Sequence, residues 1–193
     1  MRLLVTGCGR SGTVWLARAL CLAGVDCGHE RTYSLTRCGE GGWSAEVSWL
    51  AAPHPRPADV HVVHLVRHPL AVIRSQVARG GLARRAGDRR EAYDRYIYRH
   101  LPGLRDLPTQ LERCAAFWVR WNRLVDADER MRVEDVTAET VTRLARVVDP
   151  SAGLTGLPPR AHRGRAAPLL RWRDVGDQVA ELALRYGYEV EGL

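Results

Sequence analysis

Residues 3 to 20, LLVTGCGRSGTVWLARAL, constrain the fold more than any other stretch, because a short apolar run, a glycine-rich turn and an apolar helix pattern follow one another without interruption. Residues 2 to 6 read as a buried parallel strand, and residues 13 to 23 keep helical periodicity until Gly24. A second unit of the same kind begins near residue 60, where VHVVHLV is β-branched or alternating and Pro69 falls in the first turn of a helix running to about Arg79. Two strand-to-helix units of this type predict an α/β protein, a three-layer α/β/α arrangement around a central parallel sheet. In such folds ligands bind outside the carboxyl ends of the strands, which selects the loops at 7 to 12 and 67 to 70.

The remaining chain extends the pattern. Residues 80 to 107 turn to Arg, Gly and Tyr and read as an excursion carrying one short helix at about 90 to 100. A long amphipathic helix is expected over 108 to 127, a short strand in RMRVEDV, helices over 137 to 148 and 174 to 187, and a Pro- and Gly-rich loop over 150 to 168. At 193 residues and 46% hydrophobic content the expectation is one domain, 1–193. Five cysteines without a C-x-x-C pair read as reduced thiols. The chain opens on a strand with no basic leader, and no apolar run approaches the roughly 20 residues of a membrane span, so a cytoplasmic protein is expected. The net charge of +7 is carried by Arg alone, since none of the 29 basic residues is Lys; this favours bidentate anion binding.

The first loop has the spacing of a nucleoside triphosphate turn, G-x-x-x-x-G-K-[ST], from Gly7 to Gly12. Thr13 takes the lysine position, Val14 that of the magnesium-binding hydroxyl, and the cation has moved inside the loop to Arg10. Backbone N–H groups from Gly9 onward still offer an anion cradle at a helix N-terminus. A magnesium-dependent kinase would also need an Asp at the end of the second strand, where Val66 and Arg67 stand instead. The pattern therefore describes a phosphate site that works without a metal.

G-x-x-R-S-G-T-x-W, followed by V-R-x-P with a Ser eight residues after the Arg, resembles the nucleotide site of sulfotransferases that use 3′-phosphoadenosine 5′-phosphosulfate (PAPS). That resemblance implies the P-loop NTPase-like sulfotransferase fold, PAPS as co-substrate and no metal. By position it assigns Arg10, Ser11, Gly12 and Thr13 to the 5′-phosphosulfate, Trp15 to the adenine, and Arg67 and Ser75 to the 3′-phosphate. Val14 departs from the second Thr of many members. In the branch that includes protein-tyrosine and several carbohydrate sulfotransferases, a Glu about twenty residues beyond the loop's cation is the base. Glu30 lies twenty past Arg10, within VDCGHERT. His29 is the alternative base, since cytosolic members use a His, placed elsewhere. Arg10 is the cation for the oxygen that leaves. The segment HRGRAAPLLRWRDV is similar to a late basic loop that closes over the nucleotide, which brings in Arg163 and Arg165, and RMRVEDV is similar to an architectural R-x-E-D-L segment containing Arg132, Glu134 and Asp135.

The expected acceptor is a small molecule or carbohydrate, with Tyr33, Trp43, Trp49 and the 80 to 107 excursion as candidate lining. Rival readings are a P-loop kinase, which predicts dependence on ATP and magnesium, a non-catalytic nucleotide-binding protein, and a nucleic-acid module. The last would use LARRAGDRR with Tyr93, Tyr96 and Tyr98 and show steep salt dependence; the adopted reading has no nucleic-acid partner. His61 and His64 fall on opposite faces of their strand, so no metal site is expected there.

Overall fold

The computed structural model describes residues 1–83, 90–159 and 169–191, without the side chain at 90. In chain order the elements are β1 (Arg2–Gly7), α1 (Thr13–Leu22), β2 (Cys27–His29), β3 (Ala45–Val47), β4 (Val60–Val66), α2 (Pro69–Ala78), α3 (Arg90–His100), α4 (Gln110–Asn122), β5 (Glu129–Arg132), α5 (Ala138–Arg146) and α6 (Asp177–Arg185). The protein is α/β, with one five-stranded sheet, all of whose pairings are parallel. By backbone contacts the chain divides into two compact units, Met1–Val66 with Leu124–His162, and Arg67–Arg123 with Arg163–Leu193.

The first unit holds the whole sheet, in the order β2-β3-β1-β4-β5. β1 is central and buried on both faces, as its continuous apolar run requires. Leu3 and Val5 join Leu16, Leu20, Val63, Leu65, Val141 and Leu144 in one core, while Leu4 joins Tyr33, Trp43, Val60 and Val62 in another. This division follows the two-residue period of a strand. The chain leaves β1 toward β2 and β3 on one side and comes back to β4 on the other, so the order reverses at β1. The turn after β1 therefore stands at the sheet's topological switch point, the place where such sheets bind ligands.

β2 and β3 were not expected from the sequence. Each has three residues and too little periodicity to announce itself; they are strands because Leu3 to Val5 pair with Ala45 to Val47, which in turn pair with Cys27 to His29. RMRVEDV is likewise half strand, with Val133–Asp135 forming a single 3-10 turn after β5.

The second unit is helical, with α4 packed against α2 and α6. The expected span of 108 to 127 for α4 shortens at both ends for local reasons. Thr109 and Glu112 form a reciprocal capping box that starts it, with the Thr109 hydroxyl accepting from Glu112 N–H at 3.1 Å and the Glu112 carboxylate from Thr109 N–H at 2.9 Å. At the other end Asn122 turns its side-chain amide back onto the Trp118 carbonyl, 2.8 Å away. Arg113 is buried on α4 and donates to the carbonyls of Leu82, Leu107 and Pro108 at 2.8, 2.7 and 3.0 Å. Helix α6 likewise spans less than the expected 174 to 187, with Gly176 at φ 81° before its first turn. All five cysteines are free thiols, with Cys8, Cys27 and Cys114 buried and Cys21 and Cys38 exposed. Burial pushes the Cys114 thiol up to about 12 and raises that of Cys27 beyond the ordinary range, so both act as packing groups.

Candidate functional site

The turn after β1 is shaped by backbone. Gly7 pairs with Leu65 of β4, and a Cβ there would lie 2.1 Å from the Leu65 carbonyl oxygen, so this strand end tolerates only glycine. Ser11 N–H closes onto the Cys8 carbonyl at 3.2 Å, and Arg10 and Gly12 both take left-handed backbone at φ 79° and 95°. Alternation of left-handed with ordinary residues is the backbone pattern found in anion nests, and in this one the Ser11 N–H is already given to Cys8. A side chain at Gly12 would also come within 2.8 Å of Val133 Cγ2. Helix α1 starts with Gly12 as its N-cap, with no side-chain cap and no acidic residue in its first turn. Its N-terminal dipole is thus left for something other than a carboxylate of its own.

The side chains of this turn divide sharply. Ser11 is fully buried, and its hydroxyl has no hydrogen-bond partner. A buried hydroxyl without a hydrogen-bond partner is uncommon in a folded chain, and it sits here in the turn itself. Arg10 is half-buried. Thr13 is buried, Val14 is 50% exposed, and Trp15 is 9% exposed with its indole N–H donating to the Pro158 carbonyl at 2.9 Å. Trp15 is therefore held from behind by the core, with little ring surface open.

Strand β2 delivers the candidate bases to the same place. His29 ends β2, paired with Val47, and its Nε2 shares a hydrogen bond of 3.2 Å with the Thr13 hydroxyl. The Glu30 carboxylate stands 3.7 Å from that nitrogen, and Glu30 itself has left-handed backbone at φ 52°. Thr13, His29 and Glu30 thus come together at the first residue of α1. Arg31 turns instead to Asp26, 3.1 Å away. Sequence reasoning missed Glu46, in the middle of β3 and fully buried, whose Oε1 accepts from the N–H groups of Arg31, Thr32 and Tyr33 at 2.8, 3.1 and 3.4 Å. The one available signal was an acidic residue set between Ala45 and Val47. Tyr33 and Trp43 pack edge to face at 6.2 Å in the core, and Trp49 is buried too.

The turn after β4 opens the second unit. Helix α2 starts at Pro69, as the proline predicts, with His68 as its N-cap. The His68 ring packs against Trp172 and Tyr188 at centroid distances of 5.4 and 5.3 Å. Arg67 and Ser75, before and within α2, are both half-buried. Arg163 and Arg165 lie outside the described residues. Of the R-x-E-D-L-like segment, Arg132 pairs with Asp135 and Glu134 is exposed, while Val133 packs under Gly12.

His61 reaches two carboxylates, Asp128 at 3.4 Å and Glu129 at 3.1 Å, and Glu129 is also gripped by Arg143 at 2.9 Å. The Val62 N–H and the Arg56 guanidinium hold the Asp128 carboxyl below the usual carboxylate range. Among the described residues no three His, Cys, Asp or Glu side chains gather as a metal-binding group. Comparison with protein-family models, with curated proteins and with solved structures finds no match to this chain.

Proposed function

We propose that this protein is a sulfotransferase, moving a sulfuryl group from PAPS to a hydroxyl or amine of a small-molecule or carbohydrate acceptor and releasing 3′-phosphoadenosine 5′-phosphate (PAP). The observation that carries the reading is a lysine-free anion turn with a hydrogen-bonded imidazole and a carboxylate at its rim: Thr13 bonded by His29 at 3.2 Å, with Glu30 beside it. In this reading the nest at Gly9 to Gly12 and the orphaned Ser11 hydroxyl bind the 5′-phosphosulfate. Arg67 and Ser75 bind the 3′-phosphate by a guanidinium and a hydroxyl, a pairing suited to a terminal phosphate monoester.

The chemistry needs few parts. As the acceptor oxygen or nitrogen forms its bond to sulfur, the bond between sulfur and the 5′-phosphate oxygen breaks, and that oxygen leaves with the electron pair. Glu30, with His29 as the alternative, takes the acceptor's proton. Arg10 lies in the turn to stabilise the departing oxygen's charge. The finer fold assignment, that of the P-loop-like sulfotransferases, belongs to the same proposal and is supported by the strand-end turn at the switch point of a parallel sheet.

Calorimetric titration with PAP, with AMP and with ATP and magnesium, at one fixed ionic strength, tests the reading. Tight PAP binding, weaker AMP binding and no gain from magnesium are expected. Preference for ATP with magnesium would return the chain to the kinases and leave Glu30 without its role.

A further inference from the structure

Glu46 is the one fully buried acidic side chain among the described residues, and the proposed chemistry gives it no task. It stands on β3 opposite Gly28 of β2 and Leu4 of β1, walled in by strands on both sides. A carboxylate in such a place is costly unless it is well hydrogen-bonded. Its Oε1 meets that need with three consecutive backbone N–H groups, those of Arg31, Thr32 and Tyr33, at 2.8, 3.1 and 3.4 Å. Its Oε2 has no partner. The carboxylate fits only because residue 28 is glycine: a Cβ there would come 2.1 Å from Oε2.

The three N–H groups it holds follow directly on Glu30. The chain leaves β2 at His29, turns through the left-handed residue Glu30 and delivers residues 31 to 33 onto one carboxylate oxygen. A left-handed backbone at a non-glycine residue costs energy and persists only where its surroundings fix it. We infer that Glu46 is a positioning residue: by clamping the backbone of 31 to 33 it sets the turn at Glu30 and so holds the His29 imidazole and the Glu30 carboxylate against Thr13. The inference rests on the sulfotransferase reading in so far as that pair performs chemistry, but the clamp itself can be measured apart from any reaction. Three bonds to an anion are stronger than three to an amide oxygen, so Gln at 46 keeps the shape of the side chain and weakens the clamp.

Solution NMR on the full chain tests this with Glu46→Gln and, as a second variant that displaces the same carboxylate through its other oxygen, Oε2, Gly28→Ala. In each, hydrogen-exchange protection of the Arg31, Thr32 and Tyr33 amides is expected to fall by about tenfold or more, while the β1 and β4 amides keep theirs. The cross-relaxation peak between the His29 ring and the Thr13 methyl is expected to vanish. Because both variants break one clamp, the double variant is expected to lose no more than either single one. With PAPS, PAP release is expected to slow by about tenfold or more while PAP affinity stays within about twofold. An intact ring-to-methyl peak in both variants would overturn the inference, and so would an equal loss of protection throughout β1 and β4, which would make Glu46 a residue of the fold alone. If the wild-type protein binds no PAP while the clamp behaves as described, the sulfotransferase reading falls and the positioning of His29 and Glu30 by Glu46 stands.

Discussion

The turn after β1 bends through two left-handed residues into its helix, whereas the turn after β4 enters its helix on a proline behind a histidine packed on aromatic rings; neither helix has a side-chain cap. The first is built from backbone, with the Ser11 hydroxyl and the Arg10 side chain in the same turn. The second starts its helix on Pro69, and in the proposed function what it offers an anion is the side chains of Arg67 and Ser75. The difference teaches a division of labour within the proposed function. A backbone nest grips any phosphate-like group and tolerates change of charge on it during reaction; a guanidinium and hydroxyl select one particular terminal phosphate. The proposed function thus puts the chemistry beside the first turn, where His29 and Glu30 are, and the selection at the second.

The largest effect that would break this division is at Glu30. Glu30→Gln is expected to lower turnover of PAPS with its acceptor by about 10²–10⁴-fold, the usual worth of a general base, with PAP affinity unchanged. Steady-state PAP release alongside calorimetry checks both halves. Unchanged turnover would move the proton to His29; a parallel loss of PAP affinity would show that binding and chemistry are not separated at the first turn.

Next in size is Arg67→Ala. A charge-assisted bond of about 1.5–3 kcal/mol corresponds to roughly 10–100-fold, and the loss should fall on PAP while AMP, which lacks the 3′-phosphate, stays within about twofold. Titrating both nucleotides against the variant decides it. Equal losses would mean that the second turn does not select the 3′-phosphate, and the comparison between the two turns would collapse into a single site of one kind.

The two turns were also unequally legible in the sequence. The starts of α1 and α2 could be read because glycine and proline are punctuation with physical content: Gly12 takes a left-handed backbone, and Pro69 stands where a helix has an N–H to spare. β1 was legible as a short apolar run and β4 as a β-branched, alternating one. β2 and β3 were not, since three residues such as CGH or AEV carry no period and become strands only by pairing outward from β1. The helix over 110 to 122 was read too long because Leu124 and Val125 continue its apolar spacing; a cap at Thr109 and a side-chain bond from Asn122 count for more than periodicity at the ends. At the site, the spacing of Arg10 and Glu30 was visible, whereas the bond from His29 to Thr13 spans sixteen residues and depends on β2 existing. Glu46 was illegible for the same reason, because a lone acidic residue looks like surface until a strand buries it.

The smallest expected effect on the nucleotide sharpens the comparison from within the first turn, at Trp15. The family resemblance assigns this ring to the adenine, yet it is 9% exposed, and its N–H is committed to the Pro158 carbonyl at 2.9 Å. Both facts make the residue a tie between α1 and the segment after α5 first, and a ligand contact second. Trp15→Phe keeps an aromatic face and removes the N–H, leaving a buried carbonyl unpaired. Stability should fall by about 1–3 kcal/mol, which in a chain of this size lowers Tm by roughly 2–4 °C per kcal/mol. PAP affinity should stay within about twofold, because the nest of Gly9 to Gly12 is set by φ at Arg10 and Gly12 and by Val133, none of which the substitution touches. Thermal unfolding and PAP titration on one sample separate the outcomes. A tenfold or greater loss of PAP affinity with an unchanged Tm would put the adenosine end on the indole itself, and the first turn would then owe its ligand to a side chain as much as the second does.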